Sequence, residues 1–157
     1  MQIRRLVTPP AVVATLVLLA GCSSAVAADV APHATDPVCA SVVLAMPDSL
    51  GDGLPQRDTT AQATTAWGDP GAPIVLRCGV EPLGPTTEHC QTVDTPGGPS
   101  IDWVTVENDD GSWTLTTYGR SPAVELHIPA SVAADGTSYV DQLGPAVAMT
   151  DKQRSCL

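Results

Sequence analysis

Five cysteines are the residues of this sequence that are best suited to chemistry. A thiol can be acylated by a fatty chain, oxidised to a disulfide with a second thiol, or used as a thiolate ligand for a metal ion. Cys22 ends an apolar N-terminal segment, whereas the other four thiols are spread over the rest of the chain, at Cys39, Cys78, Cys90 and Cys156. We therefore consider the chemistry of Cys22 separately.

The first 21 residues have the order of a secretory signal peptide: basic residues, a short apolar segment over 11–20 and small residues. That apolar segment is too short to cross about 30 Å of hydrocarbon as a helix. Its ending, Leu-Ala-Gly-Cys at 19–22, resembles the lipobox of bacterial lipoproteins, in which the cysteine is acylated and becomes the mature N-terminus. Ordinary cleavage within 25–28, which would release a soluble protein, is the alternative.

Removal of residues 1–21 leaves a strongly acidic chain. The leader contains two arginines and no acidic residue, so the formal net charge changes from −10 to −12. Such a surface is repelled by the phosphates of nucleic acids and by anionic lipid headgroups. We therefore expect no nucleic-acid partner, and attachment to the outer face of the cell membrane only through lipid, such as palmitate, on Cys22.

The remaining chain is predicted to comprise a tether and one domain. Residues 22–35 are rich in Ala, Ser, Val and Asp and have no periodicity, which indicates a flexible tether. His33 lies in this segment and is interpreted as a solvated residue. The globular domain is expected over 36–157, which is long enough for a single modest core.

The four remaining cysteines predict two disulfides, because an even number of thiols in an exported domain favours oxidation in pairs. We expect Cys78 to pair with Cys90, closing the loop after a central strand, and Cys39 to pair with Cys156, joining the two ends of the domain. A zinc site formed by Cys78, His89 and Cys90 is the alternative, but the paired Cys-x-x-Cys spacing of zinc sites is missing. We therefore expect no metal and no cofactor.

The strand predicted at 74–80 is central because turn residues bound it and it carries a cysteine. Its alternation places Arg77 on one face and a set of apolar residues on the other: Ile74, Leu76, Cys78 and Val80. Before this strand, the sequence predicts a helix that starts at Asp36-Pro37 and ends before Pro47, a polar loop over 48–65 and a turn over 67–70. After it, the sequence predicts an irregular segment over 81–100, a hairpin of strands 101–107 and 113–119, and a strand over 122–129. The last predicted element is a helix over 137–149 that is interrupted at Gly144-Pro145.

This order of elements predicts an α+β domain with about four mostly antiparallel strands, two helices packed on one face, and disulfide links. The other sheet face is then free to bind a partner. The possible binding face comprises side chains of the strands and of the loops beside them: Trp67, Arg77, Tyr118, Arg120, Glu125 and His127. Alternatively, Arg77 and Glu125 form a purely structural cross-strand pair that Tyr118 covers.

Several short segments, taken together, resemble one family. They are Trp-Gly-Asp-Pro at 67–70, Ile-Val-Leu-Arg-Cys-Gly at 74–79, Asp-Trp-Val at 102–104, Thr-Tyr-Gly-Arg-Ser-Pro-Ala at 117–123 and a terminal cysteine, all behind a lipobox. They are similar to the actinobacterial lipoproteins of domain of unknown function 3515, over roughly residues 38–156. The resemblance implies a cell-envelope lipoprotein and supplies no catalytic residue, ligand or cofactor.

Two functional hypotheses follow. The sequence lacks the Gly-x-Ser-x-Gly, His-Glu-x-x-His and Ser-x-x-Lys motifs of hydrolases, so we expect a non-enzymatic binding or adaptor module. Its partner would be an envelope protein or a cell-wall or membrane precursor. The alternative is a small envelope hydrolase or transferase with His89 or His127 as its base; a deep pocket that encloses a histidine and a carboxylate would favour it.

Overall fold

The computed structural model describes residues 25–133 and 139–157. The predicted signal peptide and Cys22 lie outside these ranges. The elements in chain order are α1 Pro37–Leu44, β1 Ser49–Leu50, β2 Leu54–Arg57, β3 Thr64–Trp67, β4 Ile74–Val80, β5 His89–Val93, β6 Ile101–Glu107, β7 Trp113–Thr117, β8 Arg120–Ser121, β9 Ala123–Ile128, α2 Ala130–Ala133, α3 Val140–Val147 and β10 Asp151–Lys152.

Over the described ranges the fold is dominated by one eight-stranded antiparallel sheet, in the order β1-β2-β3-β4-β9-β7-β6-β5, and β10 pairs with β8 beside it. The prediction of about four strands is therefore wrong. The extra strands come from the predicted loop over 48–65, which contains β1, β2 and the start of β3, and from the predicted irregular segment, which contains β5. These strands have only two to five residues, too few for a clear alternation in the sequence.

The elements with strong local signals form where the sequence predicts them. The Asp36 side chain accepts a hydrogen bond of 2.9 Å from the backbone N–H of Val38, so it caps α1 as expected. The strands β4, β6 and β9 match their predictions closely. The terminal helix also forms, as α3, but it runs through Pro145 as one continuous element, so the interruption predicted at Gly144-Pro145 is wrong.

The core lies on one face of the sheet, where α1 and α3 pack. Alternate residues of β4 and β9 point into it, as predicted, and Leu143 and Val147 of α3 close it. Trp67 and Trp103 are fully buried there and supply much of its volume, which suits a chain without phenylalanine.

A bulge at Gly79 changes the face on which β4 places its last side chain. Cys78 is paired with Val124 but Val80 with Ala123, so the register shifts between the two β4 residues. The prediction that Val80 shares the face of Cys78 is therefore wrong. Val80 instead packs on the second face of the sheet, in a small cluster with Ala31, Ala34 and Ala123.

Part of the predicted tether belongs to the domain. Val26 is buried and forms a parallel bridge with Thr59, and its N–H donates to the carbonyl of Asp58 at 2.8 Å. Farther along, the N–H of His33 donates to the carbonyl of Gly79 at 2.8 Å. A Cβ at residue 79 would collide with the His33 carbonyl, so glycine is required for this crossing. The free tether is therefore a wrong prediction for residues 26–34.

Both disulfides are present, but the expected pairing is wrong. Cys39 of α1 is bonded to Cys78 of β4, and Cys90 of β5 is bonded to Cys156 near the C-terminus. The first bond joins the helix to the central strand inside the core. The second holds the C-terminal residues against the edge strand.

The two disulfides should differ in their accessibility to reductant. Cys39 and Cys78 are fully buried, whereas Cys90 and Cys156 are partly exposed. Under non-denaturing conditions we expect a small reductant to open Cys90–Cys156 first, because a thiolate must reach the sulfur that it attacks. Alkylation followed by peptide mass mapping measures the order; earlier labelling of Cys39 and Cys78 would contradict it.

Candidate functional site

Three residues of the predicted binding face come together on the open side of the sheet. Arg77 of β4 lies directly opposite Glu125 of β9, and His127 lies two residues farther along β9 on the same face. The Arg77 guanidinium donates to Oε1 of Glu125 from Nη2 at 2.7 Å and from Nε at 3.1 Å. Both side chains are partly exposed. The cross-strand pair suggested by the sequence therefore forms.

An open groove of about 440 Å³ lies over this pair. Its floor is formed by Val75, Arg77, Glu125 and His127, and one wall is formed by residues 27–29 of the N-terminal segment. Because Val26 and His33 fix this segment at its two ends, the wall is held in place. We call this feature the β4–β9 groove. Sequence reasoning does not predict this wall, because residues 27–29 lie in a segment without periodicity.

The other residues of the predicted face lie elsewhere. Trp67 is fully buried in the core, and its indole N–H donates to the carbonyl of Pro47 at 2.8 Å. Tyr118 lines a separate cavity beside the Cys90–Cys156 disulfide and does not cover the Arg77–Glu125 pair. The prediction that Trp67, Tyr118 and Arg120 share a binding face with Arg77 is therefore wrong.

Arg120 is a buried structural residue, with a relative exposure of 4%. Its Nη1 donates to the carbonyl of Thr150 at 2.7 Å. Burial lowers the pKa of this guanidinium, and the negative charge of Asp102 partly opposes that shift. The alternation used to place Arg120 fails because β7 ends at Thr117 and the chain turns at Gly119, which has a φ of +65°.

Asp102 is a buried carboxylate that sequence reasoning assigned no role. It accepts hydrogen bonds from Thr92 Oγ1 at 2.6 Å and from the backbone N–H of Cys156 at 3.3 Å, and Lys152 Nζ lies 3.6 Å from it. These contacts hold the C-terminal residues against β6. A signal was available: Asp102 is a charged residue inside an otherwise apolar run at 101–104.

The histidines are spread over the molecule. His33 is exposed and paired with Glu81 at 2.9 Å, and His89 is exposed at the start of β5. His127 lines the β4–β9 groove, in register with Val75 and Thr114. Across the ranges that the structure describes, no three His, Cys, Asp or Glu side chains are placed to hold a metal ion.

The fold and the groove define a disulfide-linked antiparallel-sheet domain with one helix-covered face and one largely open face. The family described as "Protein of unknown function (DUF3515)" matches residues 6–156, so the chain belongs to that family. This confirms the family membership that the short segments indicate. No curated protein and no solved structure matches the chain.

Alanine substitutions of Arg77 and Arg120 should reduce the stability of the fold by different amounts, because Arg77 lies in the exposed groove and Arg120 is buried. Arg77→Ala removes a partly exposed ion pair and should destabilise the fold by less than about 1 kcal/mol. Arg120→Ala leaves the Thr150 carbonyl without its charged donor inside the protein and should cost about 2–3 kcal/mol. Thermal unfolding followed by circular dichroism measures both; a larger loss of melting temperature for Arg77→Ala would contradict this assignment.

Proposed function

We propose that this chain is an exported lipoprotein, anchored by acyl chains on Cys22 to the outer face of the cell membrane, whose domain binds an envelope partner in the β4–β9 groove. The partner is an envelope protein or a cell-wall or membrane precursor. The domain acts by binding rather than by catalysis. The observation that carries the binding role is the open groove with a fixed guanidinium–carboxylate pair on its floor.

The case for export rests on thiol chemistry. Two disulfides form among the described residues, and structural disulfides persist in oxidising compartments outside the cytosol. The leader has the order of a signal peptide, and the family match includes Leu-Ala-Gly-Cys at 19–22. Several acyl chains on one cysteine would provide stable anchoring, whereas a single chain would give only reversible binding. Within the described residues, no helix is long and apolar enough to span a bilayer.

The case for binding rests on the donors and acceptors that the pair leaves free. Arg77 directs its Nε and Nη2 to one oxygen of Glu125, whereas a guanidinium has five N–H groups and a carboxylate has two oxygens. The pair can therefore offer both a donor and an acceptor to a ligand while it stays intact. Amide and hydroxyl groups, which donate and accept, are suited to such a floor. Peptide segments and wall glycans carry these groups.

The shape of the groove favours binding over catalysis. The hypothesis of a hydrolase or transferase with a histidine base calls for a deep pocket around a histidine and a carboxylate. His127 and Glu125 do share one site, but that site is an open groove on a sheet face. The Glu125 carboxylate of this groove accepts two hydrogen bonds from the Arg77 guanidinium.

Substitution of Cys22 tests the anchor. In Cys22→Ser the thiol that would carry the lipid is gone, so we expect loss of acylation and of the leader cleavage that depends on it. Intact-mass analysis of the wild-type protein and the variant, purified from the membrane fraction of expressing cells, measures both changes. Ser23→Ala is the matched control and should be acylated normally. A wild-type mass without an acyl group would refute the lipoprotein assignment.

Photo-crosslinking on intact cells tests the groove. A photoreactive amino acid at His127 should capture a reproducible envelope partner, because this residue lies on the groove floor. The control carries the same amino acid at Thr87, which is exposed just before the edge strand β5, three strands from β9. Capture at residue 127 should fall in the double variant Arg77→Ala with Glu125→Ala, which removes the ion pair from the groove floor without changing the net charge of the protein. Equal capture at residues 127 and 87, or none at either, would contradict the proposal that the β4–β9 groove is the binding site.

A further inference from the structure

The outward face of α1 is largely apolar, which is unusual for an exposed surface of an acidic protein. The helix contains no charged residue. Its inward residues Cys39 and Val42 are buried, while its exposed residues are Pro37, Ala40, Ser41 and Leu44, and Leu44 is 86% exposed. A surface helix normally carries charged or polar residues over most of its outer face, whereas Ser41 is the single polar residue of this helix.

This face lies beside the point at which the chain enters the domain. A groove of about 570 Å³ is lined by Val43 and Leu44 on one side and by Asp58 and Thr59 on the other. Thr59 is also the bridge partner of Val26, and the carbonyl of Val26 accepts from the N–H of Thr60 at 2.9 Å. Val26 is therefore bound to the rim of this groove.

The distance from the proposed anchor to this point is short. Cys22 and Val26 are four residues apart in the sequence, so even a fully extended chain spans at most about 14 Å between them. That length is less than half the thickness of a bilayer's hydrocarbon core. An acylated Cys22 would hold the edge of the domain that carries Val26 close to the lipid surface.

We infer that the outward face of α1, formed by Pro37, Ala40 and Leu44, is a membrane-contact surface that rests on the bilayer. The inference depends on the proposed acylation of Cys22. The bilayer is the occupant because the chain enters the domain beside this face and because none of these three residues carries a charge that would have to be desolvated at a lipid interface. Asp36 lies at the N-terminal end of the helix and marks the limit of the contact. The helix-covered face of the sheet thus turns toward the membrane.

Tryptophan fluorescence in vesicles tests this orientation. The full acylated protein is reconstituted in phosphatidylcholine vesicles that contain a lipid spin-labelled near the headgroup. We expect the added fluorescence of Leu44→Trp to be lost by quenching and that of Val106→Trp to persist. Val106 is a suitable control because it is exposed on β6, five strand spacings or about 24 Å from β2 along the sheet. The native tryptophans contribute the same background to both variants.

A longer link distinguishes contact from chance proximity. About ten Gly and Ser residues inserted after Ser24 allow the domain to move away by tens of ångströms, so quenching of Leu44→Trp should fall if the short link supports the contact. Equal quenching at residues 44 and 106, or none at either, in protein that mass analysis shows to be acylated would overturn this inference alone. Absence of the acyl group would overturn both the inference and the lipoprotein proposal.

Discussion

The bond between Cys39 and Cys78 is the constraint on which the arrangement of the domain depends. It joins the helix α1 to the inward face of the central strand β4, where both cysteines are fully buried. In the chain-entropy model, closing a loop of this length stabilises the fold by about 4 kcal/mol, a large share of the 5–15 kcal/mol typical of a domain. Because α1 is fixed on that face, α3 and the large core side chains collect there too, and the opposite face is left for other uses.

The use of that opposite face depends on a second constraint, the bulge at Gly79. A backbone φ of +91° and the absence of a Cβ let residues 31–34 cross β4 in direct contact with its backbone. The crossing covers the small cluster around Val80 and directs residues 27–29 along the edge of the Arg77–Glu125 pair. The groove wall therefore exists because one glycine permits a close backbone approach. A groove assembled in this way has a rigid floor, provided by two paired strands, and a wall that is fixed at both ends.

Local signals were sufficient to predict α1, the central strand, the hairpin and β9, because capping, turn chemistry and alternation act within a few residues. They could not predict the short strands β1 and β2, whose pairing is decided by neighbours distant in the chain. The disulfide pairing also escaped sequence reasoning, since it depends on which elements the sheet order brings together. In the site, strand alternation places Arg77, Glu125 and His127 on one face, but it fails for Arg120, where a turn interrupts the strand. Trp67, which turn residues assign to a loop beside that face, is instead a core residue at the end of β3.

Charge connects these features to the proposed location. With the leader removed, the chain carries a net charge of −12, so most of its surface is repelled by an anionic membrane. An acidic domain that is tied closely to a bilayer is favoured in an orientation that presents few acidic residues to the lipid. Helix α1 contains no acidic residue, although Asp36 at its N-terminus and Asp48 and Asp58 in the adjacent groove limit how far the contact can extend. Coulombic repulsion of these carboxylates would oppose their approach to the lipid and so confine the contact to the helix.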